Sequence, residues 1–184
     1  MKQSILDRYS RTEDNAIIID VTTERVEDLY NDFDRNAPYV RKDLDDELSE
    51  YLVSAVSEIG KVDFVIRFRF NQPADAEVIS RLTDSIRSYF NYKKDLQNGK
   101  LGKMLRTSAI FLVAGLVILG LSIALNEKIA GTDAVVLDVF AQGLTVAAWV
   151  SLWEALANFL INWTPYVRMR NNYDRIIHAQ LLFE

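Results

Sequence analysis

The side chains best suited to chemistry lie inside the second of two apolar stretches. Ser151, Glu154, Asn158 and Asn162 recur at steps of 3, 4 and 4, which in an α-helix places them on one face. Trp149 and Trp153 lie close by. A carboxylate in hydrocarbon costs roughly 2.5–3.5 kcal/mol or more, so this face is expected to meet protein or water rather than lipid. Two readings stay open. Copies arranged in a ring would turn the stripe toward a pore, where a ring of Glu154 carboxylates favours cations. Alternatively, Asn158 and Asn162 bond across helices while Glu154 pairs with a neighbour or is protonated. Both readings imply a homo-oligomer, a tetramer or larger, because a two-helix hairpin has few places to cover such a stripe.

Other polar groups carry weaker signals. Asp138, Gln142 and Thr145 form a second set on nearly the opposite face; Asp138 is expected at the outer interface, with an outer vestibule of Asp138 and Gln142 as the alternative. Arg67 and Arg69 share the polar face of a strand, where they would meet an anionic ligand or pair with the acidic segment 24–50. That segment holds ten acids against four bases. Asp43, Asp45 and Asp46 suggest calcium, but a calcium loop needs glycine at its sixth position, and Leu48 stands there. The helix dipole accounts for three carboxylates at a helix N-terminus. Lys93, Lys94, Lys100, Lys103 and Arg106 make a juxtamembrane basic strip that reads as a contact with anionic lipid. The chain has no cysteine and one histidine, His178, so thiolate chemistry is excluded and no histidine cluster exists. With no phosphate loop, dinucleotide turn or nucleophile elbow, the chain is not expected to be an enzyme, and no cofactor or metal is implied.

The elements that position these residues follow from the apolar patterning. Ser108–Leu125 runs 18 residues without a formal charge, enough to cross about 30 Å of hydrocarbon as a helix. A second stretch, Val135–Trp163, is longer than one span needs, so it is either a tilted helix or an interfacial piece near Asp138 followed by a span. The short connection Asn126–Ala134 makes the two an antiparallel hairpin. Ahead of them, Ala16–Val21 reads as a buried strand and Val62–Phe70 as an alternating one with Val65, Arg67 and Arg69 on its wet face. Val40–Ile59 has helical spacing and ends at Gly60, a C-cap. Pro38 and Pro73 mark turns. A second helix is expected from Asp75, weakening at Asn98-Gly99. The fold class is therefore an α+β cytoplasmic domain of β-α-β-α order, a small sheet with packed helices, plus a C-terminal two-helix transmembrane hairpin. Residues 1–15 read as a flexible N-terminus, 16–105 as the sensing or interaction domain, 106–166 as the hairpin with spans at about 108–125 and 140–163, and 167–184 as a cytoplasmic tail. Two strands make a marginal sheet, so a further strand or pairing between copies is expected. Gly115 and Gly120 in the first span, five apart, permit close packing without specifying it.

Orientation follows the positive-inside bias. Arg87, Lys93, Lys94, Lys100, Lys103 and Arg106 precede the first span, Arg168, Arg170 and Arg175 follow the second, and the loop offers only Lys128. Both termini are expected in the cytoplasm of a bacterial inner-membrane protein. The polar N-terminus shows no signal peptide, so the first span is expected to serve as its own insertion signal.

Gly143–Arg170 resembles a widespread family of uncharacterised two-span bacterial membrane proteins with an N-terminal cytoplasmic α/β domain, through Trp149, Leu152, Trp153, Phe159, Leu160, Trp163, Pro165, Arg168 and Arg170. Arg41-Lys42-Asp43-Leu44-Asp45 and Asp32-Phe33-Asp34 are similar too, so the likeness covers most of residues 16–175. Glu154 departs from it, a base being expected there. The resemblance implies architecture and brings no activity. On these grounds the expected function is a membrane pore or effector gated by its cytoplasmic domain, in the manner of bacterial stress or anti-phage (antiviral) defence effectors, with membrane lipids as surroundings and a nucleotide, an oligonucleotide or a cytosolic protein as the signal. The alternative is a non-conducting membrane-anchored adaptor that recruits a cytosolic partner.

Overall fold

The computed structural model describes residues 6–34, 38, 41–72, 75–129 and 135–184. The turn at Pro73, the helix start at Val40 and residues 130–134 of the hairpin connection lie outside them. The chain divides into two compact units, Met1–Leu96 with Arg168–Glu184, and Gln97–Val167.

The first unit is built on a four-stranded sheet, β1 (Ser10–Arg11), β2 (Ile17–Thr23), β3 (Phe64–Phe70) and β4 (Gln180–Phe183), in that spatial order. β1 runs antiparallel to β2, joined through a turn where Asn15 takes a φ of 66°, a left-handed conformation that asparagine tolerates. β2 pairs parallel to β3 with Ile19 opposite Ile66, and β3 parallel to β4 with Ile66 opposite Leu181. Parallel neighbours need a crossover. The first is α1 (Asp46–Ile59), whose start is fixed by Asp45: its carboxylate accepts the Leu48 amide at 3.1 Å. Gly60 ends it at a φ of 70°.

The second crossover explains the architecture. Between β3 and β4 the chain runs through α2 (Ala76–Ile129), α3 (Val135–Ala157), a π turn (Asn158–Asn162) and α4 (Trp163–Ile177). The apolar hairpin is thus an insertion within a strand–helix–strand crossover. Leu82, Ile86, Tyr89 and Phe90 of α2 and Tyr173 and Ile176 of α4 share one core with Ile17, Ile19, Ile66 and Phe68. The two helices are also joined directly, by the Phe90 and Tyr173 rings at 5.9 Å and by Lys94 Nζ to Asp174 Oδ1 at 2.5 Å.

Several expectations are corrected here. Residues 180–183, read as part of a tail, are a strand, and 10–11, read as flexible, are another; both were too short to show a period. The helix expected from Val40 begins at Asp46. α2 does not weaken visibly at Asn98-Gly99 but continues to Ile129, because a helical glycine costs only about 1 kcal/mol relative to alanine. Val65, assigned to the wet face, is buried.

The second unit is a hairpin closed by small residues. Ser108, Gly115 and Ser122 recur every seven positions on α2, as do Ala141, Ala148 and Ala155 on α3, and all six are buried. A seven-residue repeat keeps one seam facing a partner helix. Ser122 Oγ donates to the Ala141 carbonyl at 3.0 Å and lies 2.6 Å from Thr145 Oγ1. A Cβ on Gly115 would stand 2.9 Å from Leu152 Cγ and 3.2 Å from the Leu152 backbone nitrogen, so the helices approach more closely there than a side chain permits. Gly120 faces open space. The large apolar side chains point outward, among them Val113, Leu116, Val117, Trp149, Val150, Trp153 and Leu160. Two helices are long and apolar enough to cross a membrane, and only 17% and 11% of their most apolar windows are buried. The core helix of a soluble domain would bury most of such a window.

Candidate functional site, a polar ladder on the second apolar helix

The structure brings three of the four stripe residues together. Asn162 Nδ2 donates to Asn158 Oδ1 at 2.6 Å, and Asn158 Nδ2 donates to Glu154 Oε1 at 3.3 Å. The carboxamide dipoles therefore point in one direction along the helix, toward the carboxylate. Such chains strengthen one another in low dielectric. Ser151 is not part of the chain: its hydroxyl donates back to the Ala147 carbonyl at 3.0 Å. The ladder lies off the alanine seam. Glu154 and Asn162 are exposed and Asn158 is half-buried, beside Trp153, Leu160 and Ile161, which are 70%, 66% and 67% exposed. Glu154 is the sole acid between Gln142 and Tyr173.

Local sequence explains the ladder's spacing. Pro165 removes one backbone donor and its ring clashes with the carbonyl four residues earlier, which belongs to Ile161. The π turn over Asn158–Asn162 lies just ahead of that proline, where apolar helices make local adjustments of this kind to accommodate it. It carries both asparagines of the ladder.

The second polar set separates. Thr145 turns into the seam with Ser122, while Asp138 and Gln142 are exposed on the first turns of α3. In the sheet unit, Arg67 and Arg69 meet carboxylates, though not those of the acidic segment 24–50. Arg67 Nε lies 2.6 Å and Nη2 3.1 Å from the two oxygens of Asp20, and Arg69 Nε lies 3.0 Å from Glu184. Cross-strand register explains the difference, since Asp20 lies directly opposite Arg67. The hydrogen bonds from Arg67 hold the Asp20 carboxyl below the usual carboxylate range, and both arginines are engaged by the chain itself, with the Arg69 side chain still 45% exposed.

The basic strip also divides. Lys94 is paired with Asp174, whose carboxyl it holds below the usual range, and Lys93 lies 5.0 Å over the Tyr89 ring. Lys100, Lys103 and Arg106 remain exposed on α2, three residues apart and so along one side of the helix. No group of three or more metal-ligating side chains occurs among the described residues.

Three features escaped the sequence reading. Arg175 fastens α1 to β3: it donates to the carbonyls of Val56 at 3.3 Å, Val62 at 2.6 Å and Gly60, with its guanidinium 4.8 Å over the Phe64 ring. Tyr9 donates to Glu58 at 3.0 Å, and burial together with that carboxylate pushes its phenol up to about 12. The third is a cleft of about 620 Å³ along the 3₁₀ turns Val26–Leu29 and Asp32–Asp34, lined by Arg25, Tyr30, Phe33, Lys42 and Asp45 among others. The Phe33 ring at its edge is 99% exposed. Compared with family models, curated proteins and solved structures, the chain matches none.

Proposed function

We propose that this chain is an oligomeric integral membrane protein of the bacterial inner membrane, whose hairpins assemble around a pore controlled by the sheet unit on the cytoplasmic side. The observation that carries this reading is the Glu154–Asn158–Asn162 ladder. It lies on an exposed side of the second apolar helix, beside Trp153, Leu160 and Ile161 and off the buried alanines that close its own hairpin. A carboxylate at that depth needs protein or water around it, and neighbouring copies supply both by enclosing an axis. Trp163 marks the cytoplasmic interface in this reading, which puts Glu154 about 13 Å deeper. The exposed Lys100, Lys103 and Arg106 then face anionic headgroups, and both termini lie in the cytoplasm. The resemblance of Gly143–Arg170 to two-span bacterial membrane proteins supports the same layout.

Control by the sheet unit is supported by topology. Both ends of the hairpin continue into helices that share the sheet's core, so a ligand or partner that repacks that core acts on both at once. The layout suits a small membrane effector that opens on a stress or defence signal, a comparison that rests on architecture. Flux of K⁺ from proteoliposomes tests the reading: the native chain is expected to leak ions that protein-free vesicles retain, and Glu154→Leu to abolish the leak. Vesicles that stay tight with a fully inserted native chain, over a range of protein densities, would sink it.

One observation favours an adaptor instead. The Phe33 side chain, held out from an ordered turn whose amide bonds Asn31 Oδ1 at 3.0 Å, suits anchoring in a pocket of a cytosolic protein. In that reading Phe33→Ala removes partner recruitment while Glu154→Leu leaves it intact.

A further inference from the structure

Both helices of the hairpin unit lose their packing at one level. None of residues 97–107 on the first side is buried, nor any of 156–167 on the second. Counting from the Ser122–Ala141 contact residue for residue, Gly102 falls level with Ile161 and Gly99 with Thr164. Among the described residues of the hairpin unit these are the two longest runs without a buried residue, and helix stability in proteins owes more to packing than to propensity.

Each stretch carries its own weakening device. Beyond the helix's own backbone and the adjoining residues, no atom lies within 4 Å of where a Cβ would stand on Gly99 or Gly102, so no packing contact offsets the roughly 1 kcal/mol each glycine costs a helix relative to alanine. On the other side lies the π turn Asn158–Asn162 followed by Pro165. A π turn holds one residue more than the α turn it replaces. Relaxing it to α shifts the register by one residue, a rotation of about 100° with a rise of about 1.5 Å.

We propose that Gly99–Gly102 and Asn158–Pro165 form a paired joint, in which exchange between the π turn and a regular helix rotates the Glu154 segment about its axis and makes or breaks the Asn162–Asn158–Glu154 chain. The glycines let α2 yield while the second helix turns. The consequence for conduction rests on the pore reading; the joint itself does not.

The chain has no cysteine, so spin labels can be placed without background. The full chain carrying Val150→Cys and Arg168→Cys, in lipid nanodiscs, is measured by double electron–electron resonance. Two distance populations separated by roughly 4 Å are expected from the rotation. Pro165→Ala, which removes the cause of the π turn, is expected to collapse them into one. Gly99→Ala with Gly102→Ala, which meets open space and so folds, is expected to shift their ratio severalfold. A single population in the native chain overturns the joint, and so do two populations that Pro165→Ala leaves untouched. Potassium flux recorded on the same samples separates the two ideas: two populations that respond to Pro165→Ala without flux in any variant end the pore reading and keep the joint.

Discussion

Glu154 shares one oxygen with Asn158, and Asn158 in turn accepts from Asn162, so the ladder's acceptor end is the carboxylate. Replacing Asn158 breaks the chain in its middle. Asn158→Leu is expected to lower flux through the assembled protein to near that of Glu154→Leu, whereas Ser151→Ala, outside the chain, is expected to leave it within about twofold. Equal losses for both would mean that the stripe, rather than the ladder, matters. In the sheet unit the relevant residues are Asp20 and Asp174. Both carboxyls are held below their usual range, by hydrogen bonds from Arg67 and Lys94 respectively. A depressed carboxyl contributes stability that is complete above its unfolded value and is lost as pH falls through its folded value. Thermal unfolding of the sheet unit should therefore become easier below about pH 4, and a chain carrying Asp20→Asn and Asp174→Asn should lose part of that acid slope. An unchanged slope in the double variant would remove these pairs from the account. Ser122→Ala, at the seam, is expected to cost about 0.6 kcal/mol, the usual size of a hydrogen bond between apolar helices.

At the scale of elements, the hairpin seam makes a sharper claim. Gly115 meets Leu152 and Gly120 meets nothing. Gly115→Leu is expected to destabilise the hairpin by on the order of 1–3 kcal/mol through overpacking, and Gly120→Leu to be neutral, read from the unfolding midpoint in detergent; equal effects would contradict the seam. The apolar spans were legible from composition, because uncharged runs of that length have few other uses. The seam was not: serine, glycine and alanine at seven-residue intervals leave no contrast inside a run that is apolar all round. Strands β2 and β3 showed as β-branched and alternating runs, while β1 and β4, two and four residues long, are defined by their partners rather than by their own pattern. The ladder was legible for the opposite reason to the seam, since polar side chains stand out against hydrocarbon. Its separation from Ser151 comes from that hydroxyl's bond to the Ala147 carbonyl, a local alternative that residue spacing does not reveal.

For the whole molecule, the insertion of the hairpin into a crossover makes the last strand a structural requirement. Phe183 stacks on the buried Phe68 with ring centroids 5.6 Å apart, and β4 completes the sheet beside β3. Phe183→Ala is expected to destabilise the sheet unit by roughly 1–2 kcal/mol, an aromatic pair plus part of the burial, although it lies far from the apolar helices in sequence. The proposed association of the hairpins rests on the ladder, since lipid covers their outward apolar surface but does not satisfy a carboxylate and two carboxamides. Native mass spectrometry of the full chain released from lipid nanodiscs tests it most directly. A closed assembly of four or more copies is expected, weakened by Glu154→Leu or Asn158→Leu. A stable monomer, unaffected by either substitution, would contradict it.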